Sequence, residues 1–346
     1  MRLDAEYILP LRWTDDTGLD ELTAYLTRLE RWIDVTVVDG SDAALFAAHA
    51  RTFPAGVRHL APSVVEGLNG KARGVLSGLK ASRHEIVVTA DDDVRHDRAT
   101  LRALLYEVRD ADLVAPQNVF EPRPWHARWD TARSLINRAT RGDYPGTYAL
   151  RCRALPRGYG VDALFENLEM ERTVRAGGGR VRHCHDLYVV RRPPSARRFW
   201  SQRVRQAYDS LAQPRRLMLE LAVAPTAFAL RRHPGILCLL AAIAVGAAEI
   251  GRRRARGDAV FARTAALWAP LWAAERAVTS WIALAMRATG GVPYAGRRVL
   301  RAATPLRVLR RRSVDHIRAQ EPARIATTVP RALPRTGATQ GEATDA

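Results

Sequence analysis

Cysteine is nearly missing from this chain. Its 346 residues hold three, Cys152, Cys184 and Cys238. An odd number spread this far apart excludes a disulfide framework and fits a reducing compartment. No long apolar run opens the chain. Asp4 and Glu6 precede a first apolar run of only a few residues, so no secretory signal is expected. Acid is short relative to base: 36 Asp and Glu face 54 Lys and Arg, a formal charge of +18 at pH 7. Much of the excess lies beyond Arg191 and is mostly Arg. Such a surplus suits a polyanionic partner, whether nucleic acid, phosphorylated substrate or anionic membrane. No recognisable nucleic-acid-binding motif favours the first. The apolar fraction is ordinary for a globular protein, and the length suits one large α/β domain with an appendage.

The most informative stretch runs from His84 to Asp93. Ile86, Val87 and Val88 read as a short buried strand, and it leads straight into Asp91-Asp92-Asp93. Carboxylates stacked at the end of a buried strand repel one another and lose solvation, and a divalent cation relieves both. Residues i and i+2 of an extended chain face one side, so Asp91 and Asp93 can share one ion. Mg²⁺ or Mn²⁺ fits, bound by one or two carboxylates together with substrate phosphates. An acidic triplet alone would equally suit a helix cap, and Leu101, Leu104, Leu105 and Val108 mark a helix just beyond.

Strands and helices alternate around this point. Tyr7 to Leu11 reads as a first strand, Leu19, Leu22, Leu26 and Leu29 as a helix face, and Ile33 to Val38 as a second strand entering Asp39-Gly40-Ser41-Asp42. Val57 to Leu60 reads as a third. Asn69-Gly70-Lys71 opens a helix with Ala72, Val75, Leu76 and Leu79 on its buried face. Another strand starts at Asp112. This order predicts a mainly parallel sheet flanked by helices, with ligands at the carboxyl ends of its strands. Further on, Gly142 to Leu150 predicts a turn and strand, Phe165 to Ala176 a helix, Val181 to Val190 a strand, and Ala196 onward a basic amphipathic helix.

Composition shifts after Pro214. Pro234 to Ile250 carries one charge, Glu249, and is at the short limit for a spanning helix. Ala259 to Met286 is longer and holds three tryptophans. Arginines flank both, so a shallow hairpin returning to the cytoplasmic face fits better than a full crossing. The expected domains are a catalytic unit over 1–213, a helical membrane-associated region over 214–300 and a basic, disordered tail over 301–346.

Over about residues 5 to 300, these features together resemble the family 2 glycosyltransferases of the GT-A fold, particularly membrane-associated, ceramide glucosyltransferase-like members. Val37-Val38-Asp39-Gly40-Ser41-Asp42 resembles the family's nucleotide-binding start, Asn69-Gly70-Lys71-Ala72 the loop before its third helix, and Asp91-Asp92-Asp93 its metal-binding DxD. Glu166-Asn167-Leu168-Glu169 stands where the family keeps its catalytic base, and Gln202-Arg203-Val204-Arg205-Gln206 is similar to its QxxRW. The resemblance implies Asp39 and Asp42 at the nucleotide, with Lys71, Asp92, Gln202 and Arg205 around the donor, and by charge alone Arg203 offers a further donor to the phosphates. It implies Asp91 and Asp93 on Mg²⁺ or Mn²⁺, and Glu166 or Glu169 as base. Asn167 occupies the place of the family's basic Asp, and an amide does not accept the acceptor's proton. Gln206 replaces the final Trp, which weakens a processive reading.

The implied reaction is an inverting transfer from a nucleotide-diphosphate sugar to a hydroxyl acceptor, a lipid or a cell-envelope glycan precursor, at the cytoplasmic face of the cell membrane and without nucleic acid. A nucleotidyltransferase would need a Gly- and Arg-rich loop after the first strand, where Leu11-Arg12-Trp13-Thr14-Asp15-Asp16 stands instead. A non-enzymatic basic membrane-surface protein explains the charge but not the ordered acids. His183 and His185 share a strand face, but without a second ligand pair nearby a structural zinc is not expected.

Overall fold

The apolar run after Ala5 becomes the middle of the sheet because both its faces find a partner. In the computed structural model, which describes residues 2–313, β1 (Glu6–Leu11) lies between β2 (Asp34–Asp39) and β4 (Ile86–Ala90), parallel to both. Tyr7, Leu9 and Leu11 face one core and Ile8 the other, the period-two alternation of a strand buried on both sides. The first core is closed by α1 (Leu19–Leu29), through Leu22, Leu26 and Leu29. The second is closed by α3 (Gly70–Ala81), through Ala72 and Val75. Close approach of α3 depends on Gly78, where a Cβ would come within 2.3 Å of Ile8.

Between these elements, α2 (Ala43–Thr52) connects β2 to β3 (Val57–Leu60), parallel to β2 at one edge. After β4 follow β5 (Val94–Arg95), α4 (Arg98–Glu107), β6 (Leu113–Phe120), α5 (Trp125–Thr140), β7 (Thr147–Arg151), α6 (Glu166–Ala176) and β8 (Val181–Arg191). The eight strands run β3-β2-β1-β4-β7-β6-β8-β5. β6 and β8 are parallel, whereas β7 runs antiparallel to β4 and β6, and β5 to β8. The α/β class and the mainly parallel sheet flanked by helices are as the alternating pattern predicts.

Helices α7 (Ala196–Tyr208), α8 (Pro214–Ala229), α9 (Pro234–Arg253) and α10 (Ala269–Ala288) follow. They pack onto α5, a helix the apolar pattern does not reveal. Gly251 of α9 rests on the backbone of α5, where a Cβ would lie 1.8 Å from the Leu135 carbonyl oxygen. Buried Arg138 of α5 donates to the carbonyls of Gly251, Arg254 and His185, to Gln117 Oε1 and to the Tyr188 hydroxyl. One side chain thereby ties three layers together.

The second apolar stretch, Ala259 to Met286, is not one continuous element. Left-handed Ala255 and Arg256 turn the chain ahead of it, and a 3-10 turn, Ala265–Trp268, precedes α10. Within α10, Glu275 and Arg276 are buried against protein. Among the described residues, α9 alone is long and apolar enough to cross a membrane. A hairpin of β9 (Val292–Tyr294) and β10 (Arg297–Val299) turns at Ala295 and Gly296, both at positive φ, a two-residue turn of the kind glycine favours. The chain then returns to the sheet-bearing layer. Residues 301–304, expected to begin the tail, bond instead to the start of α6 through Arg301 O, Ala302 O and Thr304 N. Residues 306–313 are helical. The rest of the expected tail, 314–346, lies outside the described residues.

Candidate active site

After building β2 and β3 on one side of β1, the chain crosses to β4 on the other. The crevice at such a reversal is where open α/β sheets bind ligands. Asp39 ends β2, Lys71 opens α3, and Asp91 follows β4, so all three reach this edge. Asn69 brings the fourth element. Its side chain caps α3 by accepting from the Ala72 N–H, and its amide donates to the Ala163 and Leu164 carbonyls just before α6. The capping residue thus fastens the start of α3, with Lys71, to the start of α6, with Glu166.

Lys71 Nζ lies 2.5 Å from Asp91 Oδ1 and also pairs with Glu166. Lys71 is one of two lysines in the chain. Burial acts to lower its pKa, but Asp91 and Glu166 outweigh burial and hold the ammonium well above its ordinary range. A second cation faces the same acids. Arg191 Nε donates to both Asp93 oxygens at 3.0 and 2.9 Å, and its Nη2 reaches Asp91 Oδ2 at 3.4 Å. The β5–β8 pairing, Val94 opposite Arg191, sets this contact. Burial pushes the Asp93 carboxyl up to about 6 against the pull of Arg191, and Asp91 and Asp92 add repulsion.

The donor set fits Mg²⁺ or Mn²⁺. Two hard carboxylates already converge on one cationic group, as a shared ion requires. Gly146 leaves a recess at Asp91, since a Cβ there would lie 2.6 Å from Asp91 Oδ2. Lys71, Asp91, Gly146, Tyr148, Tyr159, Glu166 and Asn167 line a small cleft at this point. Glu166 and Asp91 therefore share the cleft, with Lys71 between them. Asn167 is held by donating to the Pro145 carbonyl at 2.9 Å, with its Oδ1 3.5 Å from Lys71 Nζ. A carboxylate at 167 would have no proton to give Pro145.

Other expected residues lie elsewhere or are already engaged. Glu169 is buried and points to the rear, where its Oε2 accepts from Thr304 N–H at 2.6 Å. Glu171 is also engaged, taking bonds from Tyr148 and His183. His185 bonds backbone carbonyls of Arg141 and His183, so the histidine pair forms no metal site with its neighbours. Asp42 caps α2 through the N–H groups of Ala44 and Leu45. Asp92 accepts from Trp13 Nε1 at 2.5 Å. Arg203 turns into the helical layer, pairing with Asp130 at 3.2 Å and Glu275 at 3.5 Å. Arg205 instead lies over the Tyr294 ring, 5.5 Å from its centroid, and Tyr294 reaches Asn69 by a long 3.5 Å hydrogen bond. Gln202 is half-buried on the same helix.

Asp39 is fully engaged. One oxygen accepts from the Ser41 N–H, and the other meets His49 Nδ1 at 2.6 Å and His59 Nε2 at 3.0 Å. Burial raises its pKa, but the bonds from His59, Ser41 and His49 prevail and hold it well below the usual carboxylate range. The three ligand atoms lie within 4.8 Å of one another, yet hydrogen bonding accounts for the contacts. Sequence reasoning missed Arg191, the two histidines and the fastening by Asn69. For Arg191 the available signal was its place at the end of a strand.

No protein-family model matches the chain, and no curated protein matches it. Among solved structures it is similar to a mannosyltransferase from Pyrobaculum calidifontis in complex with GDP-Man and Mn²⁺, at 19% identity and a TM-score of 0.47, covering 95% of this chain and 84% of that one. It is also similar to a glucosyl-3-phosphoglycerate synthase from Mycobacterium tuberculosis in complex with Mn²⁺, uridine diphosphate and phosphoglyceric acid, at 15% identity and a TM-score of 0.37, covering 57% of this chain and 73% of that one. A mannosyl-3-phosphoglycerate synthase from Rubrobacter xylanophilus aligns at 14% identity and 0.38, over 57% and 70%.

The two glutamates make different demands on the fold. Glu169→Ala removes a carboxylate bond to a buried backbone N–H and is expected to cost about 1.5–3 kcal/mol. Glu166→Gln leaves that anchor intact and is expected to cost less. Urea unfolding of both variants checks the order.

Proposed function

We propose that the chain is an inverting, metal-dependent glycosyltransferase of the GT-A kind, moving a sugar from a nucleotide-diphosphate sugar to a hydroxyl acceptor. The observation that carries the reading is the meeting of Asp91, Asp93 and Glu166 on two cations, Lys71 and Arg191, at one strand edge. Asp91 and Asp93 would hold Mg²⁺ or Mn²⁺, which would offset charge on the departing phosphate. Lys71 and Arg191 donate to phosphate oxygens. As Lys71 turns toward the diphosphate, Glu166 loses its ammonium partner and becomes free to act as base. The acceptor oxygen bonds to the anomeric carbon from the face opposite the phosphate and gives its proton to Glu166. The bond to the phosphate oxygen breaks, and its electron pair leaves with the nucleoside diphosphate. Single displacement inverts the anomeric centre. Asn167 supports this geometry as a positioning residue, by its hold on Pro145 and its approach to Lys71.

The acceptor is read as a lipid or envelope-glycan precursor, met at the cytoplasmic face of a membrane. Support comes from the outer surface of the helical layer. Met218, Leu219 and Phe228 of α8, Leu239 and Ile243 of α9, and Val278 and Trp281 of α10 are all exposed. Only 11% of the apolar window of α9 is buried inside the protein. Arg231 and Arg232 precede it, and Arg252 to Arg254 end it. Such a surface with basic flanks suits an anionic bilayer.

Two outcomes follow. In a panel of nucleotide sugars with Mg²⁺ or Mn²⁺, at least one donor is expected to be turned over, and Glu166→Gln should lower that turnover by roughly a hundredfold or more while nucleotide binding persists. In flotation with anionic vesicles, the paired substitution Leu239→Glu and Ile243→Glu should strip most of the protein from the lipid fraction. Unchanged flotation would remove α9 from the membrane contact.

A further inference from the structure

A second cavity lies apart from the acidic cleft, where the end of β6, the start of α5 and the turn Ala265–Trp268 meet. Its volume is about 260 Å³. Phe120, Phe261 and Trp268 give it apolar walls, Thr131 a hydroxyl, and Arg123 and Arg128 a cationic rim. These arginines are weakly committed. Arg123 Nε donates to the Phe120 carbonyl at 3.3 Å and makes only a long pair with Glu121, at 3.7 Å. Arg128 Nε donates to the Arg123 carbonyl at 3.1 Å, and no acidic side chain pairs with Arg128 among the described residues. Close to Trp268 in the chain, Leu267 and Leu271 are 63% and 41% exposed.

Each part of this arrangement selects a chemistry. Guanidinium groups with spare donors suit a phosphate, which they can grip with paired hydrogen bonds. Aromatic walls and an exposed leucine track suit an alkyl chain. The volume falls just below the ~300–1,000 Å³ of ordinary ligand pockets, too small for a nucleotide sugar but adequate for a headgroup and its first carbons. The location matters as well. Phe120 pairs with Arg191 in the β6–β8 register, so the cavity lies one strand from the residue that grips Asp91 and Asp93.

We propose that this cavity binds the head of an anionic amphiphile, a phosphate monoester carrying an alkyl chain that runs out over Leu267 and Leu271. The inference does not rest on the transferase reading, since the head occupies this cavity and not the acidic cleft. Its binding stands by itself.

The test is titration calorimetry of the full chain with decyl phosphate below its micelle concentration. Decanol and inorganic phosphate are the comparison ligands. Decyl phosphate is expected to bind at least tenfold more tightly than either. The double substitution Arg123→Ala and Arg128→Ala should weaken it at least tenfold. Ala262→Trp, which narrows the cavity and keeps both arginines, should do the same. Equal binding of decanol would reduce the site to an apolar surface, and equal binding of inorganic phosphate to an anion site. Either result, or unchanged affinity in both variants, overturns the proposal. Mn²⁺-dependent GDP and UDP binding, measured on the same samples, separates the two readings. Its loss in wild type alongside the expected decyl phosphate pattern would sink the transferase and leave the cavity standing. Its presence without that pattern would do the reverse.

Discussion

The site depends on two half-buried cations set among carboxylates. Asp91, Asp93 and Glu166 meet at a strand edge where burial penalises every negative charge. Lys71 and Arg191 make that density tolerable. Lys71 spans Asp91 and Glu166, and Arg191 spans Asp93 and Asp91. Removing either cation would leave a half-buried acid without compensation, the costly case for buried ion pairs. The same arrangement suits an incoming diphosphate. Its oxygens can take over the donors of Lys71 and Arg191, and a divalent ion can take over the acids.

Geometry this tight needs support from several elements, and most of it comes from polar side chains. Asn69 joins α3 to the segment before α6. Glu169 anchors the returning C-terminal segment at Thr304. In the helical layer, Asp130, Arg203 and Glu275 join α5, α7 and α10, and Arg138 joins α5 to β8 and α9. The helices that carry the exposed apolar surface are therefore tied to the sheet that carries the acids. The exposed apolar surface and the cleft are thereby joined by direct side-chain contacts.

This also explains what was legible in the sequence. β1, β2 and β4 stood out because residues buried on both faces are almost all apolar. The acids after β4 stood out because that position is costly for charge. Of the two acids offered as base, Glu166 lines the cleft and Glu169 bonds the Thr304 N–H. Helix α5 was illegible because its buried side includes Asp130, Ser134, Asn137 and Arg138, which read as solvent-facing in a pattern of apolar spacing. Arg203 and Arg205 could not both face the cleft, since residues two apart on a helix point to different sides. Sequence alone did not say which one turned inward to Asp130. Arg191 was hidden among many arginines, its role fixed only by the strand pairing that sets it opposite Val94.

The central claim is that Asp91 and its neighbours form a metal-dependent nucleotide site. Its most direct test is the thermal stabilisation of the full chain by UDP or GDP, with and without Mn²⁺, in wild type and in Asp91→Asn. A ligand at a hundred times its dissociation constant contributes about 2.7 kcal/mol, a shift of several degrees. The account predicts such a shift in wild type for at least one nucleotide, only with metal, and its loss in Asp91→Asn. An equal shift without metal, an undiminished shift in the variant, or no shift with either nucleotide would contradict it.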